Sequence, residues 1–345
     1  MKSDIFDRKS EHIRHGLSDE GQFSRRATGF DAYWLEHRAL PELALEEVDL
    51  SVEFLGRSLK APLIVSSMTG GPLAGELINT HIAEAVEALG IPMGVGSQRI
   101  ALEDPRAVRS FQVARERAPS APLYANLGAV QLNRGYGPEH AKRAVEMLRA
   151  DGLFLHLNPL QEAIQPEGDT DFRGLFDRIE QLIRAVDFPV LVKECGAGVS
   201  APIAVELFRR GVAAIDVAGA GGTSWAAIEG LRSKDSAHQR LGAVFRDFGI
   251  PTSIALVEAR AALPEKPLIA SGGVRTGLDV AKALALGADL VGLAQPVLSA
   301  ALESAEAVFG ALTQVLLELR VASFVTGARR VRELRGRIRS ERALP

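Results

Sequence analysis

The chain has 345 residues, 40 Lys plus Arg against 43 Asp plus Glu, a formal net charge of −3, and 47% hydrophobic with 24% charged residues. This makeup excludes disorder, collagen and coiled coil, and so slight an acidic balance gives no general attraction to nucleic acid or anionic lipid, so that an anion must be held by a local site. The lone cysteine, Cys195, cannot build an internal disulfide framework, which points to a reducing compartment, with cytoplasm as the expectation.

At the start of the chain, Met1 to Gly16 mixes charged and apolar residues without an uninterrupted apolar core, unlike a signal peptide or a membrane span. Ser3 or Asp4 is placed to cap a short helix carrying Arg8, Lys9, Glu11 and His12, and Val48 to Leu55 alternates like a hairpin strand able to close a barrel floor. Residues 1–60 therefore read as an arm and closing segment. From about residue 61 a unit repeats: a short apolar run, a Gly-containing turn, then a segment with helical spacing. The strand-like runs are Leu63–Ser67, Ile91–Ser97, Leu123–Gly128, Leu153–Asn158, Val190–Glu194, Ala214–Ala218, Leu268–Ser271 and Leu290–Ala294. Amphipathic segments lie between them: Leu77–Leu89, Ala107–Arg117, Glu139–Ala150, Phe172–Val186, Pro202–Arg210, Ser253–Ala262 and Leu278–Leu286.

Eight strand–helix units in an α/β chain close into a (β/α)8 TIM barrel, here a single domain over residues 1–345. The competing open doubly wound sheet would show a GxGxxG fingerprint after its first strand, and none occurs. The apolar stretch Ala281 to Leu302 is interrupted by Asp289, glycines and Pro296, which argues against a membrane helix there. Residues 297–345 read as a helical extension: Val297–Leu319, then an Arg-rich segment Arg329–Arg342 whose interleaved Glu residues favour a solvated helical face or an oligomer contact over nucleic-acid binding.

In such a barrel the site lies at the carboxyl ends of the strands, and these ends are unusually polar: Ser67-Met68-Thr69-Gly70-Gly71, Ser97-Gln98-Arg99, Asn126, His156-Leu157-Asn158, Lys193, Gly219–Ser224, Ser271-Gly272-Gly273 and Ala294-Gln295. Spacing by two predicts that His156 and Asn158 share a face, and likewise Ser97 and Arg99. Ser271 to Gly277 (SGGVRTG) reads as a phosphate loop after strand seven, its glycines offering backbone N–H groups and the following helix N-terminus adding partial positive charge. Lys193 ends an apolar strand and needs a negative or electron-rich partner, either the neighbouring Glu194 or a bound flavin.

Together with Arg8-Lys9-Ser10-Glu11-His12, Asn158 followed by Gln161-Glu162, and Gly221-Gly222-Thr223-Ser224-Trp225, these motifs resemble, over nearly the whole chain, the type 2, FMN-dependent isopentenyl diphosphate isomerases. The resemblance implies bound FMN active when reduced, NAD(P)H as reductant, Mg²⁺, interconversion of isopentenyl and dimethylallyl diphosphate, and a homo-oligomer, tetramer or larger. It implies FMN contacts at Ser67, Met68, Thr69, Ser97, Asn126, Lys193, Thr223, Gly272, Gly273, Val274, Arg275, Ala294 and Gln295. Diphosphate contacts fall on Arg8, Lys9, Ser97, Arg99, His156 and Asn158, with Gln161 beside the substrate and Glu162 on Mg²⁺. Gln161, Lys193 and Glu229 are the expected catalytic residues, Glu229 as a proton relay, a plain surface carboxylate being the other reading of Glu229. No nucleic acid or membrane partner is expected.

Three other readings stand beside this one. An FMN-dependent oxidoreductase of the 2-hydroxy-acid type would need a catalytic His before its paired glycines, which Gly221-Gly222 lack. A barrel with a nucleophilic Cys would use Cys195, which reads better as a small structural residue. A flavin-binding protein without chemistry would not need Arg8, Lys9, His156, Gln161 and Glu162. A His12-x-x-His15 zinc pair has too few neighbouring ligands to weigh much.

Overall fold

The computed structural model describes residues 5–71 and 74–340. Its strands are β1 (Tyr33–Leu35), β2 (Val52–Phe54), β3 (Arg57–Leu59), β4 (Leu63–Val65), β5 (Met93–Gly94), β6 (Leu123–Gly128), β7 (Gly152–Leu157), β8 (Val190–Glu194), β9 (Ala214–Asp216), β10 (Leu268–Ala270), β11 (Leu290–Leu293) and β12 (Ile338–Ser340). Strands β4 to β11 pair in parallel with their sequence neighbours, and β11 pairs back onto β4, closing the (β/α)8 barrel that the repeating unit implies.

Every barrel strand is buried on both faces, which is why the runs read as continuously apolar. Period-two alternation still divides them. Ile64, Tyr124, Phe154, Leu191, Ala214, Ile269 and Leu290 form one cluster inside the barrel, whereas Leu63, Leu123, Leu153, Val190, Ile215, Leu268 and Val291 join the larger core under the helices. The inner cluster is completed from below by Phe54 and Leu59 of the antiparallel hairpin β2–β3, so the segment near Val48–Leu55 does close the floor.

Most helices lie within a few residues of their expected spans, for example Ala74–Leu89, Leu175–Arg184 and Thr252–Ala262. Two helices after β9, Trp225–Arg232 and Ser236–Phe245, were not anticipated, because Gly230 and Gly242 weaken the helical signal. These glycines serve the packing: a Cβ on Gly230 would lie 2.9 Å from Gly242 Cα, so the two helices cross at a spacing that no side chain permits.

The termini differ from expectation. The arm contains the helix Ile5–Leu17, while Ser3 and Asp4, read as its caps, lie outside the described residues, as does the side chain of Arg8. The segment read as one helix, Val297–Leu319, is two, Gln295–Glu303 and Ala305–Val325, because Ser304 is extended and its Oγ caps Ala307 N at 3.1 Å. The Arg-rich segment is not a helical face: β12 pairs antiparallel with β1, and Arg329, Arg335, Arg337 and Arg339 pair with Glu47, Asp289, Glu333 and Glu36. Helix Ala305–Val325 is long and apolar enough to cross a membrane by composition, yet Val308, Leu312, Val315 and Leu319 are buried against Ala74–Leu89, Gly277–Ala285 and Gln295–Glu303.

Candidate active site

Two residues beyond six of the seven inward side chains, the same strand face turns polar: Ile64 gives way to Ser66, Tyr124 to Asn126, Phe154 to His156, Leu191 to Lys193, Ala214 to Asp216 and Ile269 to Ser271. Strand geometry thus stacks a polar layer on an apolar one. A cavity opens above it, lined by Lys9, Ser67, Met68, Thr69, Ser97, Arg99, Asn126, His156, Asn158, Gln161, Glu162, Lys193, Thr223, Gly272, Gly273, Val274, Arg275, Ala294 and Gln295, all named from the sequence. Glu229 does not line it but sits directly behind Gln161.

Two pairs expected to share a strand face do not. Strand β5 ends at Gly94 and Arg99 opens a short helix, Arg99–Glu103, so Ser97 and Arg99 share no strand face. Asn158 is the cap of helix Pro159–Ile164 rather than a strand residue. Both pairs reach the cavity through their turns. Gln98, between Ser97 and Arg99, is fully buried and turned away, donating to Ala144 O and accepting from Asn126 N.

The two glycine-rich runs are pressed backbone to backbone. A Cβ on Gly222 would lie 2.6 Å from Gly273 N, and one on Gly272 only 2.0 Å from Gly219 O, so glycine is required for the loops to meet as well as for any ligand. The helix after the SGGVRTG loop is already satisfied: Asp279 accepts from Arg275 N and Thr276 N, and Glu318 accepts from Gly277 N at 2.6 Å. These three N–H groups are therefore already taken. The loop also carries Arg275, whose guanidinium bonds the neutral amides of Gln295 and of Gln22 (3.0 Å) and forms no ion pair among the described residues. Burial lowers its pKa, and an anion beside it would offset that cost.

Lys193 does not pair with the Glu194 carboxylate. Its Nζ donates to the Glu194 carbonyl (2.6 Å), while that carboxylate accepts from the N–H groups of Gly196, Ala197 and Gly198. Burial works against the Lys193 ammonium, but Cys195, Asp216 and Glu194 carry its pKa upward on balance. Burial pushes the Cys195 thiol up to about 12, which marks it as inert and supports its structural reading. Asp216, register partner of Lys193, is 2% exposed and held by Ser271 Oγ (2.8 Å) and Ala218 N (3.1 Å).

On the adjacent strand, in register with Lys193, His156 Nδ1 meets Asn126 Oδ1 at 2.8 Å, and an acceptor there places the proton on Nδ1. Burial first, then Lys193 and Lys9, push its pKa down to about 3, so the ring is neutral. Asn158 Nδ2 donates to Gln161 Oε1 (3.1 Å) and Glu162 Oε1 (2.8 Å), and Gln161 Nε2 donates to Glu229 Oε1 (2.8 Å). Glu229 is fully buried, not a surface carboxylate, and also meets His12 Nε2 (3.0 Å) and Arg232. Burial would raise its pKa, but His12, Arg232 and Gln161 outweigh that and hold it below the usual carboxylate range. His12 is thus turned to Glu229 and the Trp225 ring, whereas His15 meets Arg14, so the two do not converge as a zinc pair.

Asp216, Asp169 and Gln22 escaped the sequence reading. Asp216 carried a signal, being the one charged residue in the run Ala214–Ala218. Asp169 N donates to Glu162 Oε2 (2.6 Å) while its carboxylate accepts from Arg134 (2.8 Å), and Gln22 reaches the site only because residues 21–23 pair with 222–224. No local pattern announces either one.

The residues fit a flavin phosphate ester. Ser66 Oγ, Ser67 Oγ, Gln131 Oε1 and Asn158 Oδ1 are buried atoms of cavity-lining residues without hydrogen-bond partners among the described residues, Lys193 stands at one side, and Arg275 with the tight glycine loops at another. For a divalent cation, Glu162 offers a single carboxylate, and no group of three His, Cys, Asp or Glu ligands occurs among the described residues. Such a donor set suits Mg²⁺ only when phosphate oxygens and water complete it.

A family model described as FMN-dependent dehydrogenase matches residues 2–120 and 139–340. Solved structures share the fold at low identity: (S)-mandelate dehydrogenase (TM-score 0.71, 18% identical, 98% of this chain and 96% of that one) and a lactate oxidase from Pediococcus acidilactici (TM-score 0.70, 19% identical, 97% and 94%). Proteins named isopentenyl-diphosphate delta-isomerase are far more similar in sequence. Those of Xanthobacter autotrophicus (54% identical, 93% of each chain), Stutzerimonas stutzeri (50%, covering 95% of this chain and 94% of that one) and Methanosarcina barkeri (45%, 97% and 92%) align over almost their full length. By these matches the chain belongs to the FMN-dependent dehydrogenase family and, within it, to the isopentenyl-diphosphate delta-isomerases.

Proposed function

We propose that the protein interconverts isopentenyl and dimethylallyl diphosphate, with FMN bound and reduced by NAD(P)H and with Mg²⁺ on the diphosphate. The observation that carries the reading is the buried Glu229 held behind Gln161 in the wall of a cavity that Lys9 and Arg99 also line. Moving a double bond by one carbon needs a proton added at one carbon and removed at another, through a cationic centre. Reduced FMN, when bound, supplies an electron-rich, proton-exchanging ring beside that centre.

The chain's own residues divide the remaining work. Lys193 would oppose negative charge on the flavin's pyrimidine side, with Arg275, Gly272, Gly273, Ala294 and Gln295 around its phosphate. Ser67, Met68, Thr69, Ser97, Asn126, Thr223 and Val274 line the rest of the cofactor's space. Arg8, Lys9, Ser97, Arg99, His156 and Asn158 receive the diphosphate. Glu162, oriented by Asn158 Nδ2 and Asp169 N, would offer its carboxylate to Mg²⁺. Glu229, held as an anion, is the proton acceptor, and Gln161, fixed at both ends of its amide, aligns it with the substrate. Cytoplasmic location and a homo-oligomer, tetramer or larger, complete the proposal, the latter supported by exposed Phe309, Leu317 and Val321 on one long helix.

The 2-hydroxy-acid oxidoreductase reading lacks its histidine, since Ala220 precedes Gly221-Gly222. Anaerobic conversion of isopentenyl diphosphate, omitting FMN, Mg²⁺ and NADPH in turn, tests the proposal. Conversion that stops without FMN or reductant is expected. Flavin reduction by lactate or glycolate with no conversion would replace it with the oxidoreductase reading.

A further inference from the structure

Arg232, at the end of helix Trp225–Arg232, has a side chain only 6% exposed and three carboxylates around it. Its Nη1 meets Glu229 Oε2, its Nε donates to Glu11 Oε2 at 3.1 Å, and its Nη2 lies 3.6 Å from Glu167 Oε1. These carboxylates belong to three separate parts of the chain. Glu11 is on the arm helix Ile5–Leu17, Glu229 stands behind Gln161, and Glu167 lies in the loop between Glu162 and Asp169, whose N–H holds Glu162. The two oxygens of Glu229 are thereby divided: Oε1 faces Gln161 and His12, Oε2 faces Arg232. A planar guanidinium can send a different nitrogen to each of three acceptors, which a lysine's single ammonium on a flexible stem cannot reproduce.

We propose that Arg232 is a positioning residue that clasps the arm and the β7 loop to the proton-transfer carboxylate, so that seating of the arm over the diphosphate end and readiness of Glu229 are set by one buried cation. This rests on the role given to Glu229 above. The groups facing Glu229 are His12 and Arg232, with the neutral Gln161; those facing Arg232 are Glu11 and Glu167 besides Glu229, with His15 of the arm nearby. Release of Glu11 should free the arm and with it His12 while Arg232 stays on Glu229, whereas loss of Arg232 should free the arm and strip Glu229 of its buried cation as well.

The test uses the full-length FMN-loaded protein and the variants Arg232→Met and Glu11→Gln. Tryptic cleavage within the arm, at Lys9 and Arg14, is timed, and kcat/KM is measured against pH. In Arg232→Met, arm cleavage accelerates about tenfold or more, and the acid limb of the profile moves to higher pH because Glu229 has lost a cationic partner. In Glu11→Gln, cleavage also accelerates and KM rises, while the acid limb moves less than in Arg232→Met, because the loosened arm withdraws only His12 and leaves Arg232 on Glu229. Arm cleavage at the wild-type rate in both variants overturns the proposal, as does an unmoved acid limb in a folded, flavin-retaining Arg232→Met protein. Should Arg232→Met fail to fold, Glu11→Gln decides alone, faster cleavage supporting the clasp and wild-type cleavage overturning it. Absence of isomerisation by the wild-type protein would instead refute the function, and the cleavage rates would still judge the joint.

Discussion

Glu229 has no exposed surface, and its ionised form survives there only because His12, Arg232 and Gln161 supply the hydrogen bonds and charge that water would otherwise give. Replacing it with Gln keeps the shape and removes the proton acceptor, so kcat should fall by about 10² to 10⁴ while FMN remains bound; a loss under tenfold would remove Glu229 from the proton path. Its lowered pKa stabilises the fold above the carboxylate's unfolded value, and that contribution disappears as pH falls through the folded value. For His156 the sign runs in the same direction for a different reason: neutral in the fold down to about pH 3, it takes up a proton on unfolding at any pH below 6.5, so acid favours the unfolded chain. Imidazole nitrogen shifts of His156 should stay those of a neutral ring protonated on Nδ1 between pH 8 and 5, and a titration midpoint near the usual histidine value would contradict the geometry. Most of these side chains could be found from sequence, since a polar residue ending an apolar strand has few places to point. Asp169 and Gln22 could not, because each reaches the site through a loop folded back from elsewhere.

Two helix–loop–strand joints repeat one device at the barrel's lower end. Arg115 donates to the carbonyls of Ala118, Pro119 and Ala121 and to Asp151, and Arg260 donates to those of Leu263, Pro264 and Lys266 and to Asp289. Asp151 and Asp289 in turn accept from the first residues of β6 and β10. The offsets from arginine to carbonyl are the same in both joints, so each guanidinium replaces solvent for carbonyls that the turn leaves without helical partners. Arg115→Ala should destabilise the fold by about 3 kcal/mol, since it leaves three carbonyls without their donor and takes one of the partners of Asp151. A denaturation midpoint equal to that of the wild type would show the joint to be ornamental. At this scale the strands were legible because burial on both faces forces unbroken apolar runs. The helices bearing Gly230 and Gly242 were not, since their glycines answer to a close crossing that only the assembled fold displays.

Across the whole molecule, the barrel separates stability from chemistry along its axis. The hairpin β2–β3 and the inner apolar layer fill the floor, and the polar layer begins one strand step higher. This gradient is what made both the fold and the mouth readable in one pass along the chain. The tail resisted, because the pairing of β12 with β1 joins residues some 300 positions apart and leaves no local trace. The arm belongs to this scale too, since its helix contributes Lys9, His12 and Ile13 to the cavity wall. The proposed function requires this cavity to move a double bond by proton transfer with no net oxidation. Turnover of isopentenyl diphosphate in D₂O by the reduced, FMN-loaded protein with Mg²⁺ tests it most directly, the product being read by mass and NMR. Dimethylallyl diphosphate carrying solvent deuterium in its newly formed methyl group is the predicted result; product with no deuterium there, or no product at all, would contradict it.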